Sequence, residues 1–327
     1  MNKDESTENM EASSTSPTTS EDQDGSSIAT ARFKAVSDLL QQLATETDTD
    51  QIFKCLTELR CYSKGDSDCK LIIGGSMAHI LRLLVFNNRE IRKAGAKLLR
   101  SVSVIDDNIN RLSSLKDIVP RLLHMLARED EDIDTRIDVC AIIWNLSSQV
   151  SNKVKILDNT GIPLFVNCLQ SDNVNLQWEA IGVIKNLSCS EDLLDRIEEG
   201  QVIEAILELL KDADKLDATL VIALCSTLWN LSVSDMNKVR IVKSGGLTIL
   251  TKLMHSKEPA LQREVVGVLK NLTLLAAKGH DPGSVLMESE SGGVLINKLI
   301  TLLDPEHAPA TRALSAAVLA NLANSPN

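Results

Sequence analysis

The sequence predicts an all-α solenoid of about seven three-helix repeats, and three observations carry that prediction. A four-residue signature recurs as Trp144-Asn145-Leu146-Ser147, Lys185-Asn186-Leu187-Ser188, Trp229-Asn230-Leu231-Ser232, Lys270-Asn271-Leu272-Thr273 and Ala320-Asn321-Leu322-Ala323, with asparagines 41, 44, 41 and 50 residues apart. Only 2% of the 327 residues are aromatic while 43% are hydrophobic, so the core falls to Leu, Ile, Val and Ala. Glycines recur at one point of the unit (Gly75, Gly161, Gly200, Gly246 and Gly293), just ahead of its second helix. Strands find little support.

Taken in order, residues 1–27 read as a disordered acidic tail. Seven carboxylates stand there against Lys3, in a Ser/Thr-rich stretch with no apolar run to offset the entropy of ordering. The rest, 28–327, is the solenoid. Two faint copies of the signature open it, Leu59-Arg60-Cys61-Tyr62 and Arg100-Ser101-Val102-Ser103. The best-formed unit reads as a short helix over Asn152–Leu157, a break at Gly161 that allows a tight corner, a helix over Pro163–Leu169 and a longer one over Leu176–Ser188. Ile181, Ile184 and Leu187 recur at the spacing of a buried helical face. One unit cannot bury that face alone, so neighbours must stack. A longer period lies within: residues 144–188 shifted by 85 onto 229–273 match at 18 of 45 positions, as a duplicated two-unit block would. An inserted loop at about 278–291 accounts for the last, wider spacing.

A unit of about 42 residues with three helices, Gly before the second and Asn-Leu-Ser closing the third resembles the armadillo repeat, and the resemblance spans nearly all of the chain beyond the tail. It implies a right-handed α-solenoid whose third helices line a concave groove, with Asn145, Asn186, Asn230, Asn271 and Asn321 holding the backbone of an extended partner peptide. An Asn amide carries donor and acceptor together, so it can pair with a peptide unit whatever its side chain. The alternative is that these asparagines tie the third helix to the following loop. The catenin branch is the nearer likeness: Lys185 and Lys270 precede the Asn, and Lys153 and Lys238 open the next short helix, as Lys70 does earlier. In that branch such lysines clasp acidic side chains of partners; the bland alternative is a solvated framework lysine. Trp144 and Trp229 occupy the position that is basic in alternate units, either as groove anchors or as filling for the seam between units. Importin-alpha is less similar, since Trp never stands four before the Asn here and the tail is acidic.

Chemistry other than binding finds no foothold. The five histidines are scattered, and no HExxH, Walker or GxGxxG pattern occurs, so neither an enzyme, a metal site nor a cofactor is expected. A net charge of −11 and few aromatic faces speak against nucleic acid. No secretory leader or long apolar span is visible, so no membrane insertion is expected, and the seven cysteines read as reduced thiols. The expectation is a non-enzymatic scaffold of the cytoplasm, and of the nucleus as a second compartment, that holds an extended acidic segment of a protein partner; its oligomeric state is left open. Two alternatives stand beside it. One is self-assembly through the C-terminal edge, where no polar capping helix follows Leu322; the other is a nuclear-import-type adaptor.

Overall fold

The computed structural model describes residues 20–198, 201–274 and 292–324, and among these it contains helices and turns but no strand. Seven helices set the frame: Thr49–Ser63, Arg89–Val102, Ile133–Leu146, Val174–Ser188, Ala218–Leu231, Pro259–Thr273 and Pro309–Ala323. Each packs against the next, so together they make one continuous layer. These are the inner helices of units 1 to 7. In units 2 to 6 two shorter elements precede the inner helix, for example Val150–Asp158 and Gly161–Leu169 in unit 4, and Asp235–Lys243 and Gly246–Leu253 in unit 6. Unit 1 instead has one long helix, Ser20–Thr45, which packs against the inner helix Thr49–Ser63 and the short helix Ser67–Gly74 and buries Val36, Leu40 and Leu43.

That long helix moves one boundary. The tail expected over 1–27 gives way to helix at Ser20. Residues 1–19 lie outside the described residues, and so does the insertion expected at about 278–291.

The inner helices start where the sequence supplies caps. Asp48 accepts from the Asp50 and Gln51 amides, Asn88 from Glu90 and Ile91, Asp132 from Thr135, Asn173 from Leu176 and Asp217 from Thr219, and Pro259 and Pro309 open the remaining two at the position that needs no amide hydrogen. Nine residues before the signature Asn, a long polar side chain reaches back to the carbonyl six residues upstream: Arg92 to Phe86, Gln177 to Ser171 and Gln262 to Ser256. Buried asparagines on the first short helix of the next unit tie it back to the end of the inner helix. Asn108, Asn152 and Asn237 each donate to the carbonyl six residues before them, at 3.0, 2.9 and 3.1 Å. Between these fixed ends the signature leucines Leu146, Leu187, Leu231 and Leu272 are at most 1% exposed, each burial stabilising the stack by about 2 kcal/mol.

At Gly161 and Gly246 the tight corner does exclude a Cβ, as expected. The left-handed backbone falls one residue earlier at Thr160, with φ 53°, while Gly161 opens the helix beyond it. A Cβ on Gly161 would stand 2.8 Å from the Ile156 carbonyl oxygen, and on Gly246 2.7 Å from that of Ile241. Close approach of two helices, not backbone freedom, is what selects glycine there.

Candidate functional site: the face of the inner helices

The signature Asn stands in the last turn of each inner helix, and its side chain points along the stack rather than at the following loop. Nδ2 of Asn145, Asn186, Asn230 and Asn271 donates to the signature Ser of the preceding unit, to Oγ of Ser103, Ser147, Ser188 and Ser232 at 2.9, 2.9, 3.1 and 3.0 Å. Asn321 does the same to Thr273 at 3.0 Å. Each hydroxyl in turn donates to a carbonyl three residues back in its own helix, so its oxygen is free to accept. The amide is thereby split. Its NH2 group forms a ladder between units, and its Oδ1 accepts no hydrogen bond among the described residues while the residue stays half-exposed.

The ladder also fixes the register of the first unit. Ser101, at the Asn position of unit 2, lies 2.8 Å from Ser63 by their hydroxyls, which places Cys61 and Arg60 opposite Ser101 and Arg100. The sequence alignment of Leu59 with Arg100 is therefore one residue out. With that correction the residue before the Asn position reads Arg60, Arg100, Trp144, Lys185, Trp229 and Lys270 along one face.

Trp144 and Trp229 lie across the seam to the next unit while keeping part of their surface exposed. A Cβ on Gly182 would overlap the ring-fusion carbons of Trp144, and one on Gly267 those of Trp229. Trp144 also meets Trp178 edge to face, with centroids 6.0 Å apart. The two tryptophans thus fill the seam, and the small residue four before the next Asn is there to admit the ring. The sequence held a signal for this, since each Trp before an Asn is followed, one unit later, by Gly at that position.

The charges divide into bound and open groups. Arg100 reaches Asp138 at 2.9 Å and Glu179 at 2.8 Å, clasping the inner helices of three successive units. Both carboxylates are 7% exposed or less. Burial pushes the Asp138 and Glu179 carboxyls above their ordinary range, and Arg100 opposes it in both. Glu264 is 4% exposed and held by Arg263 at 2.5 Å. Lys185 and Lys270, by contrast, are half-exposed with no ion pair among the described residues. Lys153 and Lys238 depart from the expectation of open groove cations. They are 7% and 8% exposed, and their Nζ atoms donate to Ser190 at 3.0 Å and Asp235 at 2.8 Å, because the first helix tucks beneath the end of the inner one. The clasp was not legible in sequence, since its partners lie 38 and 79 residues from Arg100.

Among the described residues no trio of His, Cys, Asp or Glu is placed to hold a metal, and no helix is long and apolar enough to cross a membrane.

Comparison with known proteins agrees with this architecture. The family model described as Armadillo/beta-catenin-like repeat matches residues 234–274, which is unit 6. Adenomatous polyposis coli protein of Homo sapiens is 26% identical over 210 residues, covering 61% of this chain and 7% of that protein. Rap1 GTPase-GDP dissociation stimulator 1-A of Xenopus laevis is 26% identical over 296 residues (83% and 46%), and junction plakoglobin of Rattus norvegicus 24% over 268 (79% and 34%). The chain thus spans only a small part of the first of these relatives and under half of the others. Among solved structures, a designed armadillo repeat protein in complex with the peptide (KR)4 superposes with a TM-score of 0.62 at 17% identity, covering 72% of this chain and 98% of that one. An engineered protein superposes at 0.66 and 20%, covering 89% and 79%.

Proposed function

We propose that the face of the inner helices of this armadillo-repeat solenoid is a non-enzymatic groove for an extended, acidic segment of a partner protein. One observation carries this reading: among the described residues the row of signature asparagines keeps Oδ1 open to a peptide N–H, beside Lys185 and Lys270, which have no ion pair, and carboxylates that already have one. Packed helices recur at about 10 Å and an extended chain advances about 3.3 Å per residue. One Asn then meets about every third ligand residue. Lys185 and Lys270 select Asp or Glu between those points, and Trp144 and Trp229 offer apolar ring surface beside them. The designed neighbour's ligand is the basic (KR)4. The opposite polarity is favoured here because Asp138, Glu179 and Glu264 are buried and engaged by Arg100 and Arg263. A scaffold acting on proteins inside the cell, in cytoplasm or nucleus and without nucleic acid, fits this charge distribution.

Fluorescence anisotropy with labelled acidic, neutral and (KR)4 peptides tests the reading. Asn186→Ala with Asn271→Ala weakens extended ligands long enough to lie across units 4 to 6 by about tenfold, roughly one hydrogen bond at each position, with the unfolding midpoint measured alongside to separate the loss of the ladder. Lys185→Glu with Lys270→Glu rejects acidic ligands selectively. Tighter binding of (KR)4 that improves further with Lys185→Glu overturns the polarity and makes Asp138, Glu179 and Glu264 the working charges.

A further inference from the structure

The N-terminal end of the same face holds a feature that the asparagine row does not use. A cavity of about 420 Å³ opens between units 1 and 2, and five cations line it: Arg60 and Lys64 at the end of the first inner helix, Lys70 on the short helix after it, and Lys97 and Arg100 on the second inner helix. One carboxylate, Asp138, is present. Arg100 already holds its Oδ1, and its Oδ2 is buried without a partner. Arg60, Lys64, Lys70 and Lys97 form no ion pair or side-chain hydrogen bond among the described residues. The charges act on one site: Arg100, Lys97 and Arg60 all oppose the rise that burial imposes on the Asp138 carboxyl. The wall also carries the hydroxyls of Ser63 and Ser101.

Like charges gathered around one cavity repel each other, and the repulsion is relieved only by a counter-charge. Elsewhere in this chain the counter-charge is built in, as Asp130 and Glu131 are for Arg92 and Asp132 and Asp134 for Lys93. Among the described residues this cavity lacks such a counter-charge beyond Asp138. Four unpaired cations exceed what one carboxylate can answer, and the volume is within the range of a ligand pocket.

We propose that this cavity is an anion pocket for a cluster of negative groups on a protein segment, either a phosphoryl group flanked by carboxylates or several adjacent Asp and Glu side chains. It deepens the reading of the face as a peptide groove and rests on it for the partner being a peptide. The pocket anchors one end of the segment by charge, while the asparagine row holds the backbone beyond it. Ammonium groups on flexible stems answer a dianion from any direction, whereas guanidinium groups add paired donors.

The test uses the full chain and pentapeptides of Asp, a central residue and Glu between alanines, the central residue being phosphoserine, Glu or Ser. Such a probe reaches at most about 18 Å and cannot span units 1 to 6. Calorimetry gives affinity, and acetylation footprinting gives protection of Lys64, Lys70 and Lys97. The expected result is binding in the order phosphoserine, Glu, Ser, with at least a tenfold span, protection of all three lysines and weakening as salt rises. Similar affinities for phosphoserine and Glu assign the pocket to carboxylate clusters; a wide gap assigns it to phosphorylated segments. The Lys64→Glu, Lys70→Glu, Lys97→Glu variant abolishes the preference, while Asn186→Ala with Asn271→Ala leaves pentapeptide binding unchanged. If the triple variant unfolds early, protection in the unaltered chain still decides. The proposal is overturned by equal binding of all three probes, by unprotected lysines, by inorganic phosphate binding as tightly as the phosphopeptide, or by an oligonucleotide that outcompetes it. Failure of the groove reading is separate: long neutral peptides would then be indifferent to the Asn variants while the pentapeptides still bind.

Discussion

Residues 144–188 and 229–273 match in sequence as two copies of one block would, and the structure shows what the two stretches share and where they differ. Both place Trp over the glycine of the next unit, and both set the second asparagine 3.4 Å from the carbonyl of that Trp, Asn186 to Trp144 and Asn271 to Trp229. The charges in front of the two copies differ. Arg100 stands 85 residues before Lys185 and grips Asp138 and Glu179; the counterparts of those carboxylates are Ala223 and Glu264. Ala223 offers nothing to Lys185, and Glu264 is taken by its neighbour Arg263. Two changes, Asp to Ala and Arg to Lys, turn a closed clasp into an open cation on an unchanged scaffold. Framework and recognition are therefore separable in this array: the ladder is alike in both copies, while the ridge of charge differs between them.

The largest way to break the comparison is through the shared framework. Leu187 and Leu272 are equivalent and both 0% exposed. Leu187→Asp and Leu272→Asp should each cost about 3 to 5 kcal/mol, as an uncompensated buried charge does, and split the single denaturant transition into steps. A coincident single transition by tryptophan fluorescence and circular dichroism would contradict independent stacking. Next come Gly182→Ala and Gly267→Ala, which drive a methyl group into a tryptophan ring and should cost about 1 to 3 kcal/mol each, with a red-shifted emission as Trp144 or Trp229 is displaced. Unequal costs at the two glycines would show that Trp178, which backs Trp144 alone, braces the first copy.

A smaller effect sharpens the difference in charge. Ala223→Asp restores to the second copy the carboxylate that the first one has, so Lys185 gains a partner; acidic peptides should then bind about three- to tenfold more weakly with stability little changed. An unchanged affinity would remove Lys185 from the recognition surface. The smallest effect concerns acid. At the unit 2 hairpin Arg92 and Lys93 meet Asp130 and Asp132, while units 4 and 6 use the neutral Gln177 and Gln262 at the place of Arg92. The Arg128 hydrogen bond holds the Asp130 carboxyl down at about 2; at Asp132 burial pushes upward, but Lys93 and Thr135 outweigh it and leave it also at about 2. Carboxyls lowered on folding stabilise the native state above their ordinary value and lose that stabilisation as pH falls toward 2. Amide exchange over pH 4.5 to 2.5 should rise around residues 86–93 before it rises around 171–177, and the reverse order would refute the assignment.

The legible part of the molecule is the repeated part. Asn-Leu-Ser recurs in register, so the inner helices, their buried leucines and the number of units could be read directly. Where repetition fades the reading slips: Cys61 and Tyr62 replace Asn and Leu in unit 1, and only the Ser63–Ser101 contact shows the correct alignment. The corner glycines were visible, and so was their task of admitting a close approach at Gly161 and Gly246; that the left-handed residue is the neighbouring Thr160 was not. The asparagines posed a choice between ligand and framework that one chain of letters cannot settle; the atoms divide the amide, with nitrogen for the stack and oxygen outward. Arg100 and its two carboxylates lie on three different units and carry no local pattern at all.

The asparagine ladder also sets a common gauge between units. Hydrogen bonds of 2.9 to 3.1 Å join one unit to the next along the face of the inner helices, and such bonds weaken steeply when lengthened. The same bond between the same two positions, repeated at five successive junctions, gives that face the even graduation of a ruler.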